Sequence, residues 1–348
     1  MTPLTALQRC QTVLAGGVPD RVPVCLQNFM QAAAFAGQSM RDYCLDGAKM
    51  AEAHITTWQH FRHDMIDLEN GVTALAQAVG CTVEIYDDKT PPWVTKPALE
   101  SLEQIDRLKP IDPYQDGTLP EMLKATRLLA QELGSHVFLL AEADQGPFSL
   151  AAQIVGIEEF LMALVIPEKK ELVQRLLAYT TQQVITYGRA LIEAGAQVTM
   201  MGESLAGPDV CSPKTYREFG APYEAQVVEA LRAEGKPIGL HICGNATRII
   251  EPMIATGAAF LQVDYKIDRA VCKQAARGRT TLIGTIDPSN VLARGTAAEV
   301  TEAARSDIEH LAEGGGYLLS PGCSLPYTTP PANVEALVAA AERFGRYA

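Results

Sequence analysis

Eight short apolar runs alternating with helical segments predict an α/β chain of 348 residues folded as a single (β/α)8 TIM barrel, with an N-terminal helix and a β-hairpin inserted after the second strand. Two further observations support that class. The segments between runs are long enough to carry a helical crossover, which parallel strands require, and closing the sheet leaves no edge unpaired. Polar and metal-capable side chains (Glu203, His241, Cys243, Asp264, Asp287, Cys323) gather at or just after the C-terminal ends of runs, where such barrels carry their sites.

In chain order, a short opening helix precedes the turn Gly16-Gly17-Val18-Pro19-Asp20, and Arg21-Val22-Pro23-Val24-Cys25-Leu26 reads as the first strand. A helix over about 41–61 leads to Met65-Ile66-Asp67-Leu68, the second strand. From Cys81 to Asp116 the pattern changes. Thr82-Val83-Glu84-Ile85-Tyr86 alternates like an exposed strand and Lys89-Thr90-Pro91-Pro92-Trp93-Val94 reads as its returning arm, so about 81–116 is an insertion. The helix Pro120 to Leu133 closes it, with proline in the first turn, where a missing N–H costs nothing. The alternation is then regular. Strands are expected at Val137–Ala141, Gln197–Met201, the run carrying His241, Phe260–Val263, Thr280–Ile283 and Tyr317–Leu319. A helical stretch reaches about Ala194, and further helices are expected over 216–234, 248–256, 269–276, 296–313 and 333–344. The whole span 1–348 reads as one domain. Gly314-Gly315-Gly316 looks like a phosphate cradle but precedes its strand, which makes it an αβ connection on the far face.

With 47% hydrophobic and 20% charged residues the composition is that of an ordinary globular protein, and a net charge of −12 argues against nucleic acid and anionic membranes as partners. No apolar run approaches the roughly 20 residues that span a bilayer, and the first residues lack the pattern of a secretory signal. A cytoplasmic location is expected. Eight cysteines without framework spacing fit a reducing compartment.

His241 and Cys243 are two apart, so on a strand both point to one face. Cys323 ends a different strand-like run, Leu318-Leu319-Ser320-Pro321-Gly322-Cys323, in the same manner. Thiolate and imidazole suit zinc, and three protein ligands with a fourth position open describe a catalytic site. A second CxxC or HxxxH pair, which would suggest a structural zinc, is absent from the sequence. Asp287, before Pro288, reads as a helix cap.

The Gly-Val-Pro-Asp turn with Arg21-Val22-Pro23-Val24, the segment Gly146-Pro147-Phe148-Ser149-Leu150-Ala151, Leu240-His241-Ile242-Cys243-Gly244-Asn245, and Leu319-Ser320-Pro321-Gly322-Cys323 with Thr329-Pro330 and Asn333 resemble the uroporphyrinogen decarboxylase superfamily. Within it they look most like the zinc-dependent branch typified by methylcobamide:coenzyme M methyltransferases. The resemblance implies that His241, Cys243 and Cys323 hold Zn²⁺, which binds a small thiol such as coenzyme M as thiolate. That thiolate takes a methyl group from methylcobalamin carried by a partner corrinoid protein. It leaves open the reverse half-reaction and a tetrahydrofolate acceptor. Glu203 or Asp264 is expected to complete the zinc shell or to orient His241.

The sequence departs from the decarboxylases just after the first strand. Those enzymes hold the tetrapyrrole's carboxylates there with arginines, whereas Val22 to Met40 contains no Arg or Lys. Asp64 resembles their central aspartate. The Asp-x-His-x-x-Gly segment of a cobalamin module does not occur, so the corrinoid is expected on a separate protein that docks against the 81–116 insertion.

Overall fold

Strands form at seven of the eight expected runs, and the hairpin's returning arm lies later than the expected Lys89–Val94: β1 (Met65–Leu68), the pair β2 (Thr82–Glu84) and β3 (Trp93–Lys96), β4 (Phe138–Gln145), β5 (Val198–Gly202), β6 (Ile238–Ile242), β7 (Phe260–Val263), β8 (Thr281–Ile286) and β9 (Tyr317–Pro321). The computed structural model describes residues 3–347; Met1, Thr2 and Ala348, at the ends of the expected domain, lie outside the described residues. Seven strands make one parallel sheet in the order β1-β4-β5-β6-β7-β8-β9, and β2 pairs only with β3, antiparallel. All seven are buried along their length, as a parallel sheet covered by crossover helices must be.

The expected first strand is not a ladder strand. Val24 makes a parallel bridge to Leu319 of β9 and Cys25 one to Met65 of β1. Cys25 N donates to Leu319 O at 3.0 Å, and Met65 N donates to Val24 O at 3.0 Å. Pro23 has no N–H to give, and Gln27 sits at φ +44°, so the segment cannot extend its pairing in either direction. The sheet is therefore seven strands curled until this short segment links its two edges.

Alternation along the strands divides the sheet's two faces. Met65, Phe138, Leu140, Val198, Met200, Phe260, Ile283 and Leu318 pack together inside the curl, and Cys10 and Val13 of the opening helix Ala6–Leu14 join them. This plug fills the end at which the strands begin. Burying each such aliphatic side chain stabilises by about 1.5–3 kcal/mol. Gly239 makes room for it, since a Cβ there would lie 2.2 Å from the Phe260 ring. The opposite face, with Leu240, Ile242, Val263, Leu282 and Leu319, packs in the same cluster as Leu176, Leu191 and Val227 of the surrounding helices.

The long helical stretch expected after β4 is divided into Pro147–Val155, Ile157–Ala163 and Lys170–Ala194. Gly156, at φ +92°, turns the chain between the first two, and Pro167 opens the short turn before the third. The glycine run before β9 lies at positive φ throughout (74°, 80° and 65°), and Lys273 Nζ donates to Gly315 O at 2.6 Å. It is a connection on the plugged side, as its position predicts.

Candidate metal centre

His241 is the penultimate residue of β6 and Cys243 directly follows the strand, so the two-residue period that filled the plug now turns both ligand atoms into the curl above it. Cys323 reaches the same place from the loop after β9. Gly322 permits this approach: its Cβ would lie 2.5 Å from Tyr265 N and 3.0 Å from the Asp264 carbonyl carbon. The His241 nitrogen and the two sulfurs all lie within 4.8 Å of one another, and His241 Nε2 is 3.1 Å from Cys243 Sγ.

The electrostatics are those of a ligand set still sharing protons. Burial pulls the His241 imidazole down, but contact with Cys323 and the carboxylates of Asp264 and Asp67 outweighs it and holds the ring above its usual range. A hydrogen bond from Cys323 holds the Cys243 thiol below its usual range against burial, and Cys323, as donor in that bond and buried, is pushed well up. The two sulfurs therefore differ, Cys243 giving up its proton more readily than Cys323. His241 Nδ1 is buried with no partner. Two soft sulfurs and one imidazole converging on one point fit a zinc ion.

These three residues line a cavity of about 530 Å³ at the C-terminal edge of the sheet. Its walls are mostly apolar: Phe29 and Met30, Val72, Ala152, Ile157, Leu205, and Pro91 to Val94 of the hairpin, where Trp93 is 65% exposed.

The two carboxylates expected beside the ligands have other partners. Glu203 is fully buried, with Oε1 accepting from Phe148 N at 2.9 Å and Oε2 from Ser149 N at 2.8 Å and Ser149 Oγ at 2.6 Å. It caps the helix Pro147–Val155 across the sheet, an approach that Gly146 allows, because a Cβ there would lie 2.6 Å from Glu203 Oε1. Both oxygens are engaged by this helix end. Asp264 accepts from Gly244 N at 2.8 Å through Oδ2 and from Lys266 N at 3.2 Å through Oδ1. It fixes the turn after Cys243, where Gly244 takes φ +80°, and does not reach His241 Nδ1. Asp264 thus holds the turn after Cys243, and Glu203 caps a helix. Asp287 caps the turn Pro288–Ala293 through Ser289 N and Asn290 N, both at 2.9 Å, as expected.

Burial raises the Glu203 carboxyl to about 7, against donors that lower it. The ordinary unfolded value is about 4.3, so the contribution to stability is complete below that pH and falls away as pH rises through 7. Glu203→Gln turns an amide NH₂ towards N–H donors. The expected loss is about 1–3 kcal/mol of unfolding free energy with zinc content unchanged, and the variant's pH–stability curve is flatter between 4 and 7. Urea titrations across that range, with metal analysis, check both; loss of zinc with stability intact would return Glu203 to the ligand set.

Sequence reading missed a second set of polar residues, because it searched loops after strands and not the strands themselves. Asp67 of β1, Glu142 of β4 and Gln262 of β7 stand two positions beyond the plug residues Met65, Leu140 and Phe260, hence on the same inner face. Gln262 Nε2 donates to Asp67 Oδ2 at 3.1 Å, and Glu69, just after β1, accepts from Ser324 Oγ at 2.7 Å. The signal was present: a charged residue interrupts the apolar run Met65-Ile66-Asp67-Leu68.

A curled parallel sheet with a plugged base, and with one histidine and two cysteines gathered at its open end, defines the chain as an α/β protein with a candidate metal site. The family model for uroporphyrinogen decarboxylase (URO-D) matches residues 5–344, and the chain belongs to that family. It is 27% identical to the methylcobamide:CoM methyltransferase MtaA of Methanosarcina barkeri and 28% identical to MtbA of Methanosarcina acetivorans, each over 99% of both chains. A methyltransferase from Methanosarcina mazei superposes with a TM-score of 0.87 at 26% identity, covering 98% of this chain and 99% of the other. Among the described residues no helix is long and apolar enough to cross a membrane.

Proposed function

We propose that this chain is a methyltransferase that moves a methyl group from a corrinoid to the sulfur of a small thiol, with zinc held by His241, Cys243 and Cys323. The carrying observation is the meeting of those three ligand atoms within 4.8 Å on the wall of an apolar cavity. The relatives' names support the reaction class. When bound, the zinc supplies the charge that keeps a thiol substrate as thiolate at neutral pH, since a free thiol has a pKa near 8.5.

The chain's own residues do the rest. The Asp264 carboxylate holds the Gly244 turn, so Cys243 keeps its place beside His241. The apolar wall from Phe29 to Leu205 excludes water from the reacting sulfur. The substrate sulfur forms its bond to the methyl carbon as the cobalt–carbon bond of the corrinoid breaks, both electrons of that bond staying on cobalt, which passes from Co(III) to Co(I). Decarboxylation of a tetrapyrrole is not supported, because no Lys or Arg lines the cavity among the described residues to pair with its carboxylates.

We read the curled sheet as a closed (β/α)8 barrel whose eighth stave is the bridging segment 21–26, with 81–116 as an insertion over its mouth. The corrinoid reaches that mouth on a separate protein that docks against the hairpin β2–β3, a reading supported by the exposed Trp93 at the cavity rim.

The reaction is checked anaerobically by mixing zinc-loaded protein with methylcob(III)alamin and a panel of small thiols. The expected result is conversion of the cobalamin spectrum to Co(I) with at least one thiol. No conversion, with one zinc bound, sinks transfer in this direction. Deleting the hairpin is expected to slow transfer from a methylated corrinoid protein more than transfer from free methylcobalamin; equal slowing of both removes the docking role.

A further inference from the structure

The cavity that holds the three candidate ligands is also lined by acidic side chains and, among the described residues, by no basic one. Among the described residues lining it there are two carboxylates, Glu69 and Glu142, several glutamine amides, and no Lys or Arg. Asp67 stands behind them, 1% exposed, with Oδ1 buried and unpartnered. Among the described residues the buried ion pairs lie elsewhere, on Asp64 and Asp307, and none involves Asp67, Glu69 or Glu142. The basic side chains nearest in sequence to the strand ends do not help. Arg248 is exposed and Lys266 pairs with Asp209 at 3.3 Å, and neither lines the cavity.

Coenzyme M, named for the relatives' substrate, carries a sulfonate two carbons from its sulfur. Here that sulfonate would be buried beside Glu69 and Glu142 with no positive side chain to pair with; burial already holds both carboxyls above their ordinary range, Glu69 at about 7, so a further anion beside them is the costly arrangement. The metal does not relieve this. Two thiolates and a neutral imidazole already balance a divalent zinc, so a third sulfur arriving as thiolate leaves the centre with a net negative charge. An ammonium group on the same molecule would offset that charge and draw Glu69 and Glu142 into their ionised form, as partners in charge-assisted hydrogen bonds.

We propose that the thiol substrate of this site is a small aminothiol, a molecule whose tail is a cation and not a sulfonate or carboxylate, with Glu69 and Glu142 as the residues that select it. This deepens the thiol-methylation reading and rests on it for the role of the bound thiol.

Three two-carbon thiols differing only in tail charge provide the test: cysteamine, 2-mercaptoethanol and coenzyme M. Their binding to cobalt(II)-substituted full-length protein is read from the sulfur-to-cobalt charge-transfer absorption, with affinities expressed per thiolate. Cysteamine is expected to bind at least about ten-fold tighter than 2-mercaptoethanol, and coenzyme M weaker than either. In Glu142→Gln and Glu69→Gln, with metal content checked first, the preference for cysteamine over 2-mercaptoethanol is expected to fall several-fold. Coenzyme M binding as tightly as cysteamine, or an unaltered ranking in both metal-loaded variants, overturns the proposal. If a variant fails to load metal, the wild-type ranking decides alone. Methyl transfer is followed separately from methylcobalamin. Transfer that favours coenzyme M overturns the aminothiol and leaves the methyltransferase reading standing, whereas the expected binding order without any transfer does the reverse.

Discussion

Cys323→Ser is expected to leave a folded protein that has lost its metal and its methyl transfer. The substitution changes one atom in a loop whose backbone is held by other bonds: Gly322 N donates to Ile286 O and Leu325 N to Gln27 O, both at 2.8 Å. Neither the sheet register nor the plug depends on the sulfur. The ligand set does. The Cys323 sulfur lies within 4.8 Å of both the Cys243 sulfur and the His241 nitrogen, and a serine hydroxyl would neither ionise at neutral pH nor offer zinc a soft donor. Changing a partner that merely orients a ligand already weakens metal binding by about 10–100-fold, so losing a ligand is expected to weaken it by more than about 100-fold. Competition against a calibrated chelator measures that loss, and the cobalamin assay measures transfer. The unfolding midpoint of the metal-free variant should match that of the metal-free parent. Full zinc content together with parental transfer would remove Cys323 from the site.

How much of this was legible in the sequence follows from what sequence patterns encode. Apolar runs and their spacing encode burial, so β1 and β4 to β9 were placed, and the i, i+2 spacing of His241 and Cys243 gave one face of β6 directly. Cys323 was found because its run ends in the same manner. The first run failed as a strand because one proline removes a ladder donor, a local effect that hydrophobicity does not register. Glu203 and Asp264 were judged by position alone. Which way a carboxylate at a strand end turns depends on donors from a neighbouring element: Phe148 and Ser149 for one, the Gly244 turn for the other. That information lies in the packing of segments distant in sequence. Asp67 and Glu142 were overlooked for the opposite reason. They sit inside strands, where an apolar neighbour draws the eye, yet the period of two that places Met65 and Leu140 in the plug also places them above it.

Asp64 shows the same dependence on tertiary partners, and its replacement gives the second large effect. In sequence it resembles the central aspartate of the decarboxylases, without the arginines that would give it a substrate; the structure places it just before β1, at the plugged end, 1% exposed. There Oδ1 accepts from Arg9 Nη1 at 2.6 Å and Arg21 Nη2 at 3.1 Å, and Oδ2 from Arg21 Nη1 at 2.7 Å and Val24 N at 2.9 Å. One carboxylate thus ties the opening helix, the bridging segment and β1 together where the two sheet edges meet. Asp64→Asn keeps the shape, removes the charge and turns an NH₂ towards donors, leaving two partly buried guanidinium groups short of an anion. Breaking a buried pair from one side costs about 3–5 kcal/mol. The lower part of that range is expected, because Arg9 keeps Asp20 at 2.7 Å. Urea unfolding should show a lower midpoint with an unchanged slope, while zinc content and thiol binding, measured below the transition, stay at parental values. Asp20→Asn, at a site 32% exposed, should cost about 1 kcal/mol or less by comparison. An Asp64→Asn protein as stable as its parent but unable to transfer methyl groups would contradict the structural role and return Asp64 to the reaction.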